Sequence, residues 1–163
     1  MPAWLPLLNG RITLTEALEA EDDILQQLSY PEKRLNFFVY LYKHRQDIEA
    51  IVSYHLGVSD KTCRAGEFKE WIHGSFNVCI PIYVNDPVRY RDKKVLIRFP
   101  LPYKVGEPQY PGNAEEKLRC EVATYIWIQS NRPTVPTPYV WGFGFPGGQS
   151  VCESRSSRVS NAN

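Results

Sequence analysis

Apolar residues in the first part of the chain recur at helical spacing. Residues 14–28 mix apolar positions with many acids, which predicts a surface helix with a weak apolar face. Pro31 is expected to break the chain and to stand in the first turn of the next helix. From Glu32 to Leu56 the apolar spacing stays close to the helical period, and Gly57 is expected to end that helix as a C-cap. We therefore predict a helical N-terminal extension over residues 1–60.

The apolar stripe of the segment 31–56 allows two interpretations. Its regular period favours a long amphipathic helix that lies on a hydrophobic core. A stripe that nothing in the chain covers would instead bind a partner.

The pattern changes from helical to strand spacing after this segment. A first strand is predicted to include Phe68 and Ile72, with Trp71 anchoring it in a sheet. Residues 77–84 alternate well enough for a second strand, and Pro81 within it indicates that one side of this strand faces away from a ladder partner. The polar, turn-rich link that follows, residues 85–94, predicts a loop.

A single charge, Arg98, interrupts the apolar and β-rich run Val95–Phe99. An arginine buried without a partner is very costly, so Arg98 must reach solvent or find an anion. Two interpretations remain open. Arg98 either points outward from an edge strand or pairs with a phosphate or a carboxylate.

A connector and a second long helix follow. Residues 100–112 hold four prolines and two glycines, which predicts a mobile connector. Asn113 is the predicted N-cap, with Glu116 three residues later in the manner of a capping box, and the helix should run to about Asn131. Glu121 lies beside the apolar stripe of this helix. It is either a carboxylate aimed at a strand cation or a simple surface glutamate.

The end of the chain changes character. Residues 139–145 predict a further strand with a glycine-rich exit, whereas residues 149–163 have almost nothing to bury and are expected to be disordered. This gives the three predicted regions of the chain: the extension, a domain over residues 61–148, and the tail.

Composition excludes several classes of function. The 19 basic and 18 acidic residues leave a net charge of +1, which gives no field to recruit nucleic acid or an anionic membrane. The apolar N-terminus is short and has no basic start, and the chain has no apolar run of about 18 residues, so neither a signal peptide nor a membrane span is expected. The four cysteines lack metal-site spacing and are expected to be reduced thiols in a cytoplasmic protein.

A glycine turn lies between the first two predicted strands. A lone glycine there usually closes a hairpin, and that is one interpretation. In the other, Gly74 lets the backbone approach a phosphate, while Ser75 and nearby amides donate hydrogen bonds to it. Phe76 would then pack under the turn or shield it from water, and Asn77 would complete the turn.

Four segments in this order resemble the aminoglycoside-phosphotransferase-like, or choline-kinase-like, family, and in particular its fungal branch. The segments are Trp71–Pro81, Val95–Pro102, Lys117–Ile128 and Thr134–Gly144.

The resemblance implies an α+β fold: a protein-kinase-like N-terminal lobe, with a twisted antiparallel sheet and one packed helix after a helical extension. It implies that Gly74, Ser75, Phe76 and Asn77 cover ATP phosphates, that Arg98 stands where protein kinases place lysine, and that Glu121 is its helix partner. Family members transfer a phosphoryl group from ATP to a hydroxyl acceptor.

The family's C-terminal lobe, which carries the catalytic and metal-binding residues, has no counterpart in this sequence. We therefore expect a truncated or mispredicted product that binds nucleotide weakly and is inactive alone, with Mg²⁺ bound only if the missing lobe were present. The alternative is a non-catalytic interaction module. An uncovered interlobe surface would also favour self-association.

Overall fold

Short antiparallel sheets and four α-helices make up the described part of the chain, which confirms the expected α+β class. The computed structural model describes residues 3–87, 89–146 and 148–152. The chain divides into two compact units, Met1–His44 and Arg45–Asn163.

The first unit begins with a small hairpin of β1 (Trp4–Pro6) and β2 (Arg11–Thr13), followed by α1 (Leu14–Glu19) and α2 (Ile24–Lys43). The single helix predicted over residues 14–28 is therefore wrong. The reason is a second cap: the carboxylate of Asp23 accepts a hydrogen bond from the amide of Gln26 at 3.0 Å and starts α2 there.

Pro31 lies well inside α2 and not in its first turn, so the predicted break is absent. Because proline has no amide hydrogen, the carbonyl of Gln27 one turn earlier loses its helical donor. The cap at Asp23 decides where this helix begins, and the helix tolerates the proline in its interior.

The long helix predicted to end at Leu56 consists of two helices. Lys43 ends α2, His44 is its C-cap, and α3 follows as Arg45–Leu56. The predicted stop at Gly57 is confirmed. Gly57 adopts a left-handed φ of 66°, and the amide of Val58 donates to the carbonyl of Ser53 at 3.0 Å, as in a Schellman motif.

The second unit contains a four-stranded antiparallel sheet of β3 (Cys63–Ala65), β4 (Ile72–His73), β5 (Asn77–Asp86) and β6 (Tyr90–Pro100). β5 is central. It pairs with β6 along one side and with β3 and then β4 along the other.

Pro81 of β5 lies where the partner strand changes. Pairing with β3 stops at Ile82, and pairing with β4 begins at Cys79. A residue without an amide hydrogen therefore falls in the gap between two partners, which agrees with the expectation from the sequence.

Two strand boundaries differ from their predictions. Phe68–Glu70 is a 3-10 turn, and β4 is only two residues long. Trp71 is nevertheless a buried anchor, because its indole donates to the carbonyl of Gly66 at 3.1 Å.

The loop predicted for residues 85–94 is mostly strand. β5 extends to Asp86 and β6 begins at Tyr90, so the connection is a tight turn in which Asp86 accepts a hydrogen bond from the amide of Arg89 at 3.0 Å. Ladder pairing between the two long strands overrides the polar composition of this link.

The core of the second unit combines one face of β5 with the apolar face of α3. The helix contacts β3, and the carboxylate of Glu49 accepts a hydrogen bond from the amide of Ala65 at 2.8 Å. The buried residues of these two faces are Val78, Ile80, Ile82, Val84, Ile48, Val52 and Leu56. Burial of Ile48, Val52 and Leu56 supports the core interpretation for this face of α3, whereas Ile51 of the same helix is exposed.

The predicted connector 100–112 is a series of hydrogen-bonded turns in which Leu101 and Tyr103 are buried. It leads into α4 (Asn113–Asn131), whose C-terminal end agrees with the prediction. The predicted N-cap is wrong: Gly112 is the N-cap, and the carboxylate of Glu107 accepts hydrogen bonds from the amides of Gly112 and Ala114.

A further hairpin, β7 (Gly142–Gly144) and β8 (Ser150–Cys152), ends the described part of the chain. Only the middle of the strand predicted at 139–145 is a strand. The disorder predicted from residue 149 is wrong for β8, and residues 153–163 of that tail lie outside the described residues. No helix in the described ranges is both long enough and apolar enough to cross a membrane.

Candidate functional site

Strand register places the candidate cation on a defined face of the main sheet. Arg98 of β6 stands opposite Cys79 of β5, so the two side chains share a face with Asn77. The neighbours Ile97 and Phe99 take the other face and are half-buried there. Among the described residues, β6 pairs only with β5 in this sheet, so Arg98 lies on an edge strand, and its side chain is 40% exposed.

The expected contact between Arg98 and Glu121 is present. The guanidinium Nη2 of Arg98 lies 3.4 Å from Oε1 of Glu121 on α4. This distance is long for a charge-assisted hydrogen bond, which is commonly about 2.7–2.9 Å. Arg98 therefore combines the two interpretations left open by the sequence. Its side chain is partly exposed to solvent, and it also contacts a carboxylate.

Lys117 is the residue that sequence reasoning missed. Its ammonium contacts the same Oε1 of Glu121 within α4, and it also donates to Oδ1 of Asn77 at 3.0 Å. Lys117 thus connects the helix to the strand at the end of the glycine turn. Its spacing of four residues from Glu121 on a predicted helix was the available indication, because such pairs face each other.

The glycine turn closes the hairpin between β4 and β5. The amide of Gly74 donates to the carbonyl of Asn77 at 2.9 Å, and the carbonyl of Phe76 accepts from the amide of Leu101 at 2.8 Å. Within the described residues, the amides of Ser75 and Phe76 form no hydrogen bond. The hairpin interpretation is confirmed, and two amides of the turn have no hydrogen-bond partner among the described residues.

The side chain of Phe76 does not pack under the turn, because it is 52% exposed. Of the two positions predicted for Phe76, burial beneath the turn is therefore wrong, and shielding of the turn from water stays a prediction. The tight hairpin turns this side chain outward, while the buried positions of β5 begin only at Val78.

The fold does not require a glycine at position 74. Its φ lies outside the left-handed region, and a Cβ built on it would meet no atom within 4 Å. A side chain at this position therefore has open space and an ordinary backbone conformation.

Cys79 lies beside the ion pair and is half-buried. Burial raises the pKa of its thiol, the nearby charge of Arg98 lowers it, and that of Glu121 raises it. The net direction is upward, so the thiol is neutral at pH 7 and adds no charge to the cluster.

The structure thus brings together three of the six predicted site residues, Asn77, Arg98 and Glu121, with Lys117 at their centre. Gly74, Ser75 and Phe76 precede Asn77 in the exposed turn. Two cations against one carboxylate leave one net positive charge, and no three His, Cys, Asp or Glu side chains of the described ranges form a group suited to a metal ion.

Comparison of the chain with known protein families, with curated proteins and with solved structures finds no match.

Proposed function

We propose that the cluster of Asn77, Arg98, Lys117 and Glu121 binds the phosphate groups of ATP beneath the turn 74–77. The observation that carries this proposal is the loosely held guanidinium. Arg98 is 3.4 Å from Glu121 and 40% exposed, so its remaining donors are accessible to a second anion. An arginine fork can grip a carboxylate and phosphate oxygens together.

The donor set fits the chemistry of a phosphate chain. Lys117 supplies a second cation near Asn77, and the turn supplies the amides of Ser75 and Phe76. Backbone amides and cations are the groups that bind an oxyanion in proteins. Glu121 serves to orient both cations, and its single negative charge does not cancel them.

Calorimetric titration of the full chain with ATP tests the proposal, without and with Mg²⁺. Binding is expected to be weak because the cluster is exposed, whereas a site normally encloses about 70–90% of its ligand. Tripolyphosphate should compete for the site and adenosine should not, since the contacts are made to phosphates.

Arg98→Ala should weaken ATP binding by about tenfold or more, because a hydrogen bond to a charged group contributes about 1.5–3 kcal/mol. Arg64→Ala is the matched control. Arg64 of β3 lies opposite Tyr83 and so shares the sheet face, but Tyr83 is four positions along β5 from Cys79, about 13 Å away. Equal ATP affinity in the two variants, or no heat of binding for the unsubstituted chain, would refute the site.

The alternative function, a non-catalytic interaction module, now depends on the exposed apolar residues of α2. Ile48, Val52 and Leu56 of α3 are buried, whereas Leu35 of α2 is 61% exposed and Val39, one turn later, is also exposed. If this stripe joins two copies of the chain, sedimentation equilibrium will show a dimer that Leu35→Gln with Val39→Gln dissociates. A monomer at all concentrations would exclude it.

A further inference from the structure

A second group of reactive side chains lies between α3 and β8. The sulfur of Cys152 is 2.9 Å from Nδ1 of His55. Both residues are half-buried, so the pair is held by the fold and can still be reached from solvent. Neither residue belongs to the cluster around Arg98.

The backbone of β7 closes tightly over the imidazole of this pair. A Cβ built on Gly142 would lie 2.1 Å from Nδ1 of His55, which is impossible without movement. Gly142 stands directly opposite Cys152 in the hairpin register. The hairpin therefore presents the bare backbone of one strand and the thiol of the other to the same ring.

The environment of His55 keeps its ring in the form that accepts a proton. Burial lowers the pKa of His55, so the imidazole is neutral at pH 7. The charge-free ring of Tyr54 is its aromatic neighbour, with centroids 5.6 Å apart. A neutral Nδ1 without its own hydrogen can take the proton of a thiol within hydrogen-bond distance.

We propose that Cys152 and His55 form a nucleophilic pair that makes Cys152 a modification site for soft electrophiles of the Michael-acceptor class. The imidazole Nδ1 takes the thiol proton as the sulfur lone pair forms a bond to the β-carbon of the electrophile. The electrons of the carbon–carbon double bond move to the α-carbon, which then takes the proton from the imidazolium. Nothing leaves, and no oxidant is needed.

Labelling with limiting N-ethylmaleimide at pH 7 tests this assignment, with each of the four cysteines quantified by peptide mapping. Cys120 is the internal control, because it is an exposed free thiol on α4. An unassisted thiol is only a few per cent thiolate near pH 7, so Cys152 should react about tenfold faster than Cys120 although it is less exposed.

His55→Asn should reduce labelling of Cys152 to the rate of Cys120 or below, and should leave the rate of Cys120 unchanged. Tyr54→Ala, which removes an exposed ring next to His55, should preserve the fast reaction. Labelling of Cys152 no faster than that of Cys120 in the unsubstituted chain would overturn the proposal, whether or not the His55 variant folds. An unchanged Cys152 rate in a folded His55→Asn chain would overturn it as well.

Discussion

Two glycines show how differently the same residue type acts at single positions. Gly74 has open space around it, so nothing within the chain excludes a side chain there. Gly142 faces the ring of His55 so closely that a methyl group cannot be placed. From the sequence, both are glycines in turn-rich segments, and only the neighbours that the fold brings to them distinguish their roles.

Gly74→Ala separates folding from ligand binding at the turn. We expect a free energy of unfolding equal to or up to about 1 kcal/mol above that of the unsubstituted chain, because alanine restricts the unfolded state and fits the native one. ATP binding should weaken, since the methyl group would stand where the phosphate approaches the turn. Urea unfolding and calorimetric titration measure the two effects. Unchanged affinity would place the phosphate elsewhere.

Gly142→Ala should destabilise the second unit by roughly 1–3 kcal/mol, the usual cost of overpacking, because His55 must move away from Cys152. Gly144→Ala is the control in the same strand: its Cβ would meet neighbours only at 3.6 Å, an ordinary contact. Urea unfolding of the two variants provides the comparison. Equal stability would show that the contact between β7 and the imidazole is not made in solution.

At the scale of elements, α4 shows that a cap can come from outside the helix. Asn113 and Glu116 match a capping box in sequence, yet the carboxylate of Glu107 accepts from the amides of Gly112 at 2.8 Å and Ala114 at 2.6 Å. Asn113 donates its side-chain amide to the carbonyl of Val105 at 2.9 Å. The turns that precede the helix bring Glu107 to its end, and spacing along the sequence does not reveal such a return.

The Glu107 cap predicts a specific dependence on pH. The two backbone donors lower the pKa of Glu107, so its contribution to stability is present above the ordinary carboxyl range and is lost as pH falls through the lowered pKa. Glu107→Gln should lower the melting temperature at pH 7, and this difference should disappear in acid.

Thermal unfolding from pH 3 to pH 7 measures the effect of Glu107, with Glu116→Gln as the control that removes the same charge from the exposed first turn of α4. A difference between Glu107→Gln and the unsubstituted chain that stays constant with pH would contradict the assigned cap.

For the whole molecule, His55 couples elements that are distant in sequence. It lies on α3 beneath Gly142 and contacts Cys152, so one imidazole joins the helix to the terminal hairpin of the second unit. Arg89 makes a second long-range link, since it donates to the carbonyl of Gly57 at 3.0 Å and ties the β5–β6 turn to the end of α3. A cation at a helix C-terminus is also favoured by the helix dipole.

The buried imidazole predicts that the second unit weakens in mild acid. Because burial lowers the pKa of His55 in the folded state, the unfolded chain binds the proton more readily, and stability falls as pH drops through about 6.5, the ordinary histidine value. Urea unfolding midpoints between pH 7.5 and 5.5 measure this fall.

His55→Asn should flatten the pH dependence of the urea midpoint, whereas His73→Asn, which removes an exposed imidazole of β4, should not. A slope that is the same in all three proteins would contradict the role assigned to burial of His55.

Features that depend on local patterns could be predicted from the sequence. The apolar and polar pattern predicted β5 and the strand around Arg98. Gly57 correctly predicted the end of a helix, and helical spacing predicted that α4 ends at Asn131. These features follow from backbone conformation and from the period of side-chain burial, which neighbouring residues set. The family resemblance of the sequence also predicted the contact of Arg98 with Glu121.

Contacts between groups that are far apart in the sequence depend on the folded chain. It placed Lys117 between Glu121 and Asn77, brought Glu107 back to the start of α4, and set Cys152 against His55. The physical reason is that side-chain partners are chosen by strand register, turn geometry and helix orientation acting together, and no local pattern in the sequence encodes that combination.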